Sequence, residues 1–446
     1  MSKPKQSSGS ERAVRARAAR ALDEILDSRA PADSFLATAA GEDPRDRRFL
    51  RELVLGSLRW LRRLDWVIEA AARRPVEEID RKALSPLRLG VYQLLFLDRV
   101  PSHAAVDEAV ADARRRGCHR GTAGFVNAVL RRVAAGRQIE AWPVDVEDPI
   151  ARLAIEESHP EFLVRRWIAC LGESRTRALL AANNTRRPLH LLCLDEPEVL
   201  IRELAEEGVR CERSELAPRG LKVVEGEARA TPAFRRGAFY IQDAASQAAA
   251  VIPPPDRGER VLDSAAAPGG KSFSLTSTGA TIRVTALDRS LRRLGRLREN
   301  QSRLGRITPI TVADAALAPF AESFDRVVAD LPCSGTGTLA RHPELRWRLS
   351  DAEFERLAKA GLRMLAGLVE CVRPGGLLIA ITCSIEAEEN DEVVAELLAS
   401  RPRLTLVTLE KSLLPPLDGH VAGLGKWQVL PTSENDGFTV HALRRT

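Results

Sequence analysis

Residues Ala329–Trp347 read ADLPCSGTGTLARHPELRW, and the run leading into them is Phe324-Asp325-Arg326-Val327-Val328-Ala329-Asp330. That run is short, β-branched and bounded by polar residues, which predicts a buried strand. Pro332 and the Ser-Gly-Thr-Gly turn behind it stop the strand and fold a tight loop. A carboxylate, Asp330, and a thiol, Cys333, therefore sit at the C-terminal mouth of a strand. In open α/β sheets that mouth is where ligands bind.

Working outward, strand and helix patterns alternate from Arg260 onward. Strands are predicted at Arg260–Asp263, Arg283–Asp288, Ile307–Asp314, Phe324–Pro332 and Gly376–Cys383. Helices are predicted from near Lys271 and over Leu291–Leu304, Glu353–Val372 and Asn390–Leu398. Such alternation implies a mostly parallel, doubly wound sheet. Right-handed crossovers place all strand C-termini on one edge. Asp263, Asp288, Asp314, Asp330 and Cys383 all fall there, which marks it as a ligand edge.

SAAAPGGK, Ser264–Lys271, joins the first of these strands to a helix. Its small residues allow a ligand close to the backbone, and Gly269-Gly270 permit positive φ. It matches neither a GxGxxG nor a Walker sequence, and as a lone glycine loop it is equally compatible with an ordinary turn. Asp288, some twenty residues on, is placed to accept both hydroxyls of a ribose. Asp314 is placed to hold an adenine amino group. Cys333 and Cys383, on loops of neighbouring strands, should share one pocket. The remaining cysteines, 118, 170, 193, 211 and 371, read as inert core.

Upstream, residues 11–137 show only helical spacing, as in Phe49, Leu50, Leu53, Val54, Leu58 and Leu61, so an all-α domain is expected. Residues 138–149 read as a linker. Residues 150–250 mix helix and strand patterns and predict a small α+β domain with a basic face, in which Asn183–Arg187 suits phosphate contacts. Residues 251–446 form the α/β domain. Residues 1–10 are small and polar and predict disorder.

The totals agree with a multidomain globular chain. It has 446 residues, 44% hydrophobic, with 67 Lys+Arg against 61 Asp+Glu for a formal charge of +6. That excess suits a polyanionic partner without requiring one. The seven scattered cysteines contain no CxxC pair, which argues against zinc, and no other metal is expected. Without an apolar N-terminal leader or a run of transmembrane length, a cytoplasmic protein away from membranes is expected.

Two resemblances sharpen this reading. DRRFLRELVLGSLRWLRRLDWVI, LRLGVYQLLFLDRVPSHAAVDEAVADARR and GFVNAVLRRV resemble the NusB fold, which implies an RNA-binding helical domain. DSAAAPGGK, ALDRS, ADLPCSGTG with RHPELRW, and TCSIEAEEN resemble the motif series of S-adenosylmethionine-dependent RNA cytosine-carbon-5 methyltransferases. Together they make nearly the whole chain similar to the NusB-fused Sun/Fmu family acting on 16S rRNA. The resemblance implies a Rossmann-like methyltransferase domain beside the two RNA-binding parts. It implies Cys383 as nucleophile, Cys333 in product release and Asp330 at the target base. S-adenosyl-L-methionine would lie against Ala265, Ala266, Ala267, Pro268, Gly269, Gly270, Lys271, Asp288, Asp314 and Asp330. The expected partner is 16S rRNA and not DNA, with the enzyme acting as a monomer. A tRNA substrate, or an RNA-binding assembly factor without catalysis, are the competing readings. In one departure from the family pattern, Ala265 stands where a cysteine is common. The roles of Arg341, His342 and Trp347 stay open, Trp347 reading equally as a stacking face for RNA or as core.

Overall fold

The computed structural model describes residues 9–28, 30–39, 43–136, 138–317, 320–321, 323–409 and 425–446. The disorder expected at residues 1–10 falls, for residues 1–8, outside the described residues, and Gly9 already opens the first helix. The chain forms two compact units, Met1–Asn184 with Leu339–Arg348, and Thr185–Thr338 with Leu349–Thr446.

The first unit is helical throughout. Its helices include Gly9–Ser28, Pro44–Arg59, Leu61–Ala72, Arg81–Phe96, Ser102–Arg115 and Arg120–Ala135, followed by Pro149–Glu156, Glu161–Leu171 and Glu173–Asn184. The apolar positions at helical spacing, among them Leu50, Leu53, Val54 and Leu58, are wholly buried in one core. Asp43, Asp80 and Asp148 cap helix starts by accepting from Arg45, Lys82 and Ile150 N–H groups, which satisfies donors that have no intrahelical partner.

The segment 339–348 belongs to this helical unit, and its packing places Trp347. The indole Nε1 donates to the Leu58 carbonyl at 2.7 Å, and the ring packs on the helical core. Trp347 is thus half-buried against the helical unit, with its indole N–H taken by Leu58. Arg346 is fully buried and donates to the carbonyls of Arg59, Ser158 and Asn183 and to Asn184 Oδ1, at 3.0–3.2 Å. Arg59 and Asn183 stand at helix C-termini, where a cation meets the negative end of the dipole. Burial, reinforced by Arg59, pushes the Arg346 guanidinium down to about 9; it stays charged at neutral pH. Asn183 is fully buried and Arg187 is buried against Asp436 at 3.4 Å, so neither is available for the phosphate contacts their sequence suggests.

The second unit contains two sheets. β1 (Leu189–Cys193), β2 (Arg210–Arg213), β3 (Gly220–Glu225) and β4 (Phe239–Ile241) form an antiparallel sheet in the order β2-β3-β1-β4. The larger sheet comprises β5 (Arg260–Asp263), β6 (Arg283–Asp288), β7 (Ile310–Val312), β8 (Phe324–Asp330), β9 (Val372–Thr382), β10 (Leu404–Leu406), β11 (Lys426–Val429) and β12 (Phe438–Arg445). Its order is β10-β12-β9-β8-β5-β6-β7, with β11 paired to β12. β5 to β9 are parallel, and chain order reverses between β5 and β8. That reversal opens a crevice at the C-terminal ends of the two strands.

β5 and β6 match their predicted limits. β7 is shorter than expected, Ile310–Val312 rather than Ile307–Asp314. The antiparallel β10–β12 were not expected. β12 is buried along nearly its whole length in spite of His441 and Arg445. Arg445 donates to the Val369 and Val372 carbonyls at 3.0 and 2.7 Å, and His441 lies 3.3 Å from Asp391. Polar side chains satisfied inside the fold hide the alternation by which such strands are read.

Candidate active site

Asp263 ends β5, Asp288 ends β6 and Asp330 ends β8, while Cys383 follows the last residue of β9. The parallel register sets Asp330 opposite Ile381. The loops leaving β8 and β9 therefore start side by side, and the Cys333 and Cys383 sulfurs lie 3.5 Å apart. Asp314 departs from the pattern. It lies two residues past β7, exposed, and accepts from the Ala316 N–H at 3.0 Å.

Lys271 crosses the β5–β8 crevice. Its ammonium is 2.6 Å from Asp330 Oδ2 and 5.8 Å from the centre of the Phe438 ring. Burial opposes the Lys271 charge, yet Asp330, Asp263 and Cys383 together hold the ammonium above its usual range. Asp263 is completely buried, which pushes its carboxyl up to about 6 against a hydrogen bond from Ser272 and the nearby Lys271 charge.

The two thiols have unequal surroundings. The Cys333 thiol is raised well above its ordinary range by its hydrogen bond with Cys383, by burial, and by the Cys383, Glu389 and Asp330 charges. Cys383 faces Lys271 closely enough to contribute to that ammonium's charge.

A buried polar lattice fixes both loops. Glu389 Oε1 accepts from the Ser334 N–H at 2.7 Å and Oε2 from the Ser334 hydroxyl at 2.6 Å. The Thr336 and Ser384 hydroxyls are 3.2 Å apart, and Thr336 Oγ1 accepts from the Ile385 N–H. Gly337 N–H donates to the Cys383 carbonyl at 2.9 Å, and Gly437 N–H to the Gly337 carbonyl at 2.7 Å. A Cβ on Gly337 would fall 2.3 Å from the Gly437 oxygen, so only glycine lets the three backbones stack.

The residues missed by sequence reasoning are those that hold the others. Arg293 donates to the Ala267 carbonyl at 2.6 Å and lies 3.5 Å from Asp288 Oδ2, tying the SAAAPGGK loop to the end of β6. Ser272 donates to Asp263 at 2.7 Å, and Ser274 to Gln242 at 3.0 Å. Glu389 lies inside TCSIEAEEN, but nothing in that string shows that its carboxylate reaches the other thiol's loop.

Comparison with known proteins bears directly on this site. Residues 250–444 match the family model described as 16S rRNA methyltransferase RsmB/F. Residues 12–135 match the NusB family, and 159–228 match a ferredoxin-like domain of RsmF/B-like methyltransferases. The chain is 34% identical over 414 residues to the probable ribosomal RNA small subunit methyltransferase B of Bacillus subtilis, covering 90% of this chain and 91% of that one. It belongs to the small-subunit rRNA methyltransferase family. Ribosomal RNA small subunit methyltransferase B of Pasteurella multocida is 31% identical, covering 97% of this chain and 96% of its own length. The crystal structure of PH0851 superposes over both whole chains with a TM-score of 0.79 at 26% identity.

A member of this family takes its methyl group from S-adenosylmethionine and acts on rRNA, and the crevice fits that cofactor. Asp263 Oδ1 is buried without a hydrogen-bond partner, and Asp288 Oδ2, in an ion pair with Arg293 at 3.5 Å, accepts no hydrogen bond. Buried acceptors left open are costly unless a ligand completes them. Gly269, at φ +117°, lies so close to Phe273 that an added Cβ would be 2.3 Å from the ring. The loop is thereby pressed against its own helix. Among the described residues no group of three or more His, Cys, Asp or Glu could hold a metal ion, and no helix is long and apolar enough to cross a membrane.

Proposed function

We propose that this chain methylates carbon 5 of a cytosine in 16S rRNA through a covalent adduct on Cys383. Carbon 5 is a poor nucleophile. Addition of the Cys383 thiolate to carbon 6 turns carbon 5 into an enamine carbon with electron density to donate. S-adenosylmethionine, when bound, supplies the methyl group as an electrophile. Loss of the carbon-5 proton then lets the carbon–sulfur electron pair return to Cys383, which frees the methylated base. A proton taken up at ring nitrogen 3 as the thiolate adds neutralises the ring, and the Asp330 carboxylate beside Lys271 accepts the resulting N–H, which favours the first addition. Cys333 acts in the release half.

The observation that carries this reading is the pair of thiols 3.5 Å apart. The hydrogen bond with Cys383 and burial raise the Cys333 thiol. The division of labour between them follows the resemblance of the two motifs, with Cys383 of TCS as nucleophile and Cys333 of PCS in release. Asp288 and the loop Ala265–Lys271 would hold the cofactor, with Asp314 at the rim. The target base must leave its stack to reach the sulfurs. Residues 11–137 and 150–250 would supply the RNA-binding domains, joined through the linker 138–149, and 251–446 the catalytic one. All seven cysteines are free thiols, which supports a reducing, cytoplasmic setting.

The test is transfer of labelled methyl from S-adenosylmethionine to unmodified 16S rRNA by wild type, Cys383→Ala and Cys333→Ala, with denaturing gels to detect adducts. The expected result is product from wild type, none from Cys383→Ala, and a protein–RNA adduct retained by Cys333→Ala. Methylation by Cys383→Ala at the wild-type rate would refute the assignment.

A further inference from the structure

The helix Leu291–Leu304 and its flanks form a strongly basic exposed segment. Residues 289–306 hold seven arginines and one acid, Glu299. That excess of six equals the formal net charge of the complete protein. Leu294, Leu297, Gln301 and Leu304 face the core, which leaves Arg292 and Arg296 near the middle of the outward face. Arg298 lies at its edge, and Arg306 lies just beyond Gly305, the left-handed C-cap.

An arginine-rich helix is ordinarily a solvated face. On several other helices such charges are paired locally. Arg165 pairs with Glu161, Arg177 with Glu173, Arg356 with Glu353, and Arg236 with Asp195 and Glu203. The helix at 291–304 breaks that habit. Arg293 is bound to Asp288 and Ala267, and Arg303 to the Phe234 and Phe239 carbonyls. Arg292, Arg296, Arg298 and Arg306 are exposed and have no side-chain partner among the described residues. Four unpaired guanidiniums on one element repel one another unless a polyanion joins them.

Position supplies the second argument. The helix leaves the loop after Asp288, so it starts at the sheet edge that carries Asp330 and the two thiols. Arg292 and Arg296 are separated by about 6 Å along the axis, a spacing on the scale of successive phosphates. Leu294, Leu297 and Leu304 are buried in the unit, and the exposed apolar side chains next to the arginines, Leu291 and Ile307, stand singly at opposite ends of the helix rather than as one apolar face for a lipid surface.

We propose that Arg292, Arg296, Arg298 and Arg306 form a docking surface for the RNA sugar-phosphate backbone, additional to the NusB-like and ferredoxin-like parts. It rests on rRNA as substrate but not on the reaction chemistry. The contacts are to phosphate and position the strand without reading its sequence.

The test uses the full-length chain carrying Arg292→Gln, Arg296→Gln, Arg298→Gln and Arg306→Gln together, with unmodified 16S rRNA as probe, titrated between 50 and 200 mM KCl. Each lost phosphate contact removes about 0.7–0.9 from the slope of log affinity against log salt. The slope should flatten by about 3, and wild type should lose roughly 50-fold more affinity than the variant across that range. Unchanged binding of S-adenosylhomocysteine shows that the α/β unit is folded. The matching four-lysine variant should recover the slope, since phosphate contacts need charge more than the guanidinium shape. A glutamine variant with wild-type affinity and slope overturns the proposal. So does loss of binding to phosphatidylserine vesicles with RNA binding intact, which would assign the surface to a membrane. A flattened slope from a protein that methylates no cytosine would leave the surface standing and remove the reaction proposed above.

Discussion

Glu389 offers the sharpest quantitative prediction. The carboxyl is 2% exposed, and burial pushes it from 4.5 up to about 7 against hydrogen bonds from Ser334 and Ser384. The folded state therefore binds a proton that the unfolded state releases between those two values. The native preference for the neutral acid is fully present below about pH 4.5 and is lost as pH rises through about 7. At about 1.36 kcal/mol per unit, stability of the α/β unit should fall by roughly 2–3 kcal/mol between pH 5 and pH 8 on account of this one group. Glu389→Gln removes the titration and keeps the geometry. Its amide oxygen can accept from the Ser334 N–H, and its NH2 can donate to the Ser334 hydroxyl, the two contacts now made at 2.7 and 2.6 Å. Relative to wild type, the variant should thus gain about 2–3 kcal/mol on going from pH 5 to pH 8.

Hydrogen exchange at the β9 amides isolates the α/β unit from the helical one. Variant and wild type are compared at the same pH, so the intrinsic pH dependence of exchange cancels. The expected gain is roughly 30- to 150-fold in relative protection at pH 8 over pH 5. Equal ratios at the two pH values would show that Glu389 is ionised throughout and that burial does not dominate its environment. Glu389→Ala serves as the contrast. It strands the Ser334 donors and should destabilise by about 2–5 kcal/mol at either pH.

Three other perturbations follow from the geometry. Gly269→Ala must place a Cβ 2.3 Å from the Phe273 ring at φ +117°, so it should cost about 2–4 kcal/mol and weaken S-adenosylhomocysteine binding, read by calorimetry. Lys271→Met removes the ammonium 2.6 Å from Asp330; methyl transfer, measured by single turnover at saturating cofactor, should fall by about 100-fold or more. Arg346→Met strands the carbonyls of Arg59, Ser158 and Asn183. It should cost about 3–5 kcal/mol, with exchange accelerated in the helices ending at those residues and unchanged in β9.

The sequence made the parallel half of the sheet legible because β5, β6 and β8 are apolar runs that end on aspartate, β5 and β8 before proline- and glycine-containing turns. Helix Leu291–Leu304 was legible because its leucines keep strict helical spacing. β10 to β12 escaped notice because His441 and Arg445 are buried with partners contributed by Asp391 and by the Val369 and Val372 carbonyls. No local pattern encodes a partner fifty or more residues away. Trp347 was ambiguous for the same reason. Its indole finds Leu58, 289 residues earlier in the chain, and a stacking tryptophan has the same sequence signature as a packed one.

Within the site, the residues that resemblance marked divide into two physical kinds. Cys333, Cys383, Asp330 and Lys271 converge on one crevice and carry reactive groups. Ser334, Thr336, Gly337, Ser384 and Glu389 carry none toward a substrate; they bind each other and set the distance between two loops that leave adjacent parallel strands. That division accounts for the length of the motifs. A thiol needs one residue, but holding two sulfurs at 3.5 Å on independent loops needs a lattice whose members are all buried and all satisfied. Such a lattice tolerates few partial changes, because removing one member leaves its partners desolvated and unpaired. Ser384→Ala tests this directly. It deletes the hydroxyl 3.2 Å from Thr336 and the acceptor for the Glu386 N–H at 3.1 Å, without touching either sulfur. If the lattice sets the spacing of the thiols, methyl transfer falls while both cysteines remain titratable by a thiol reagent. Wild-type turnover in that variant would mean that the backbone stack through Gly337 alone holds the loops.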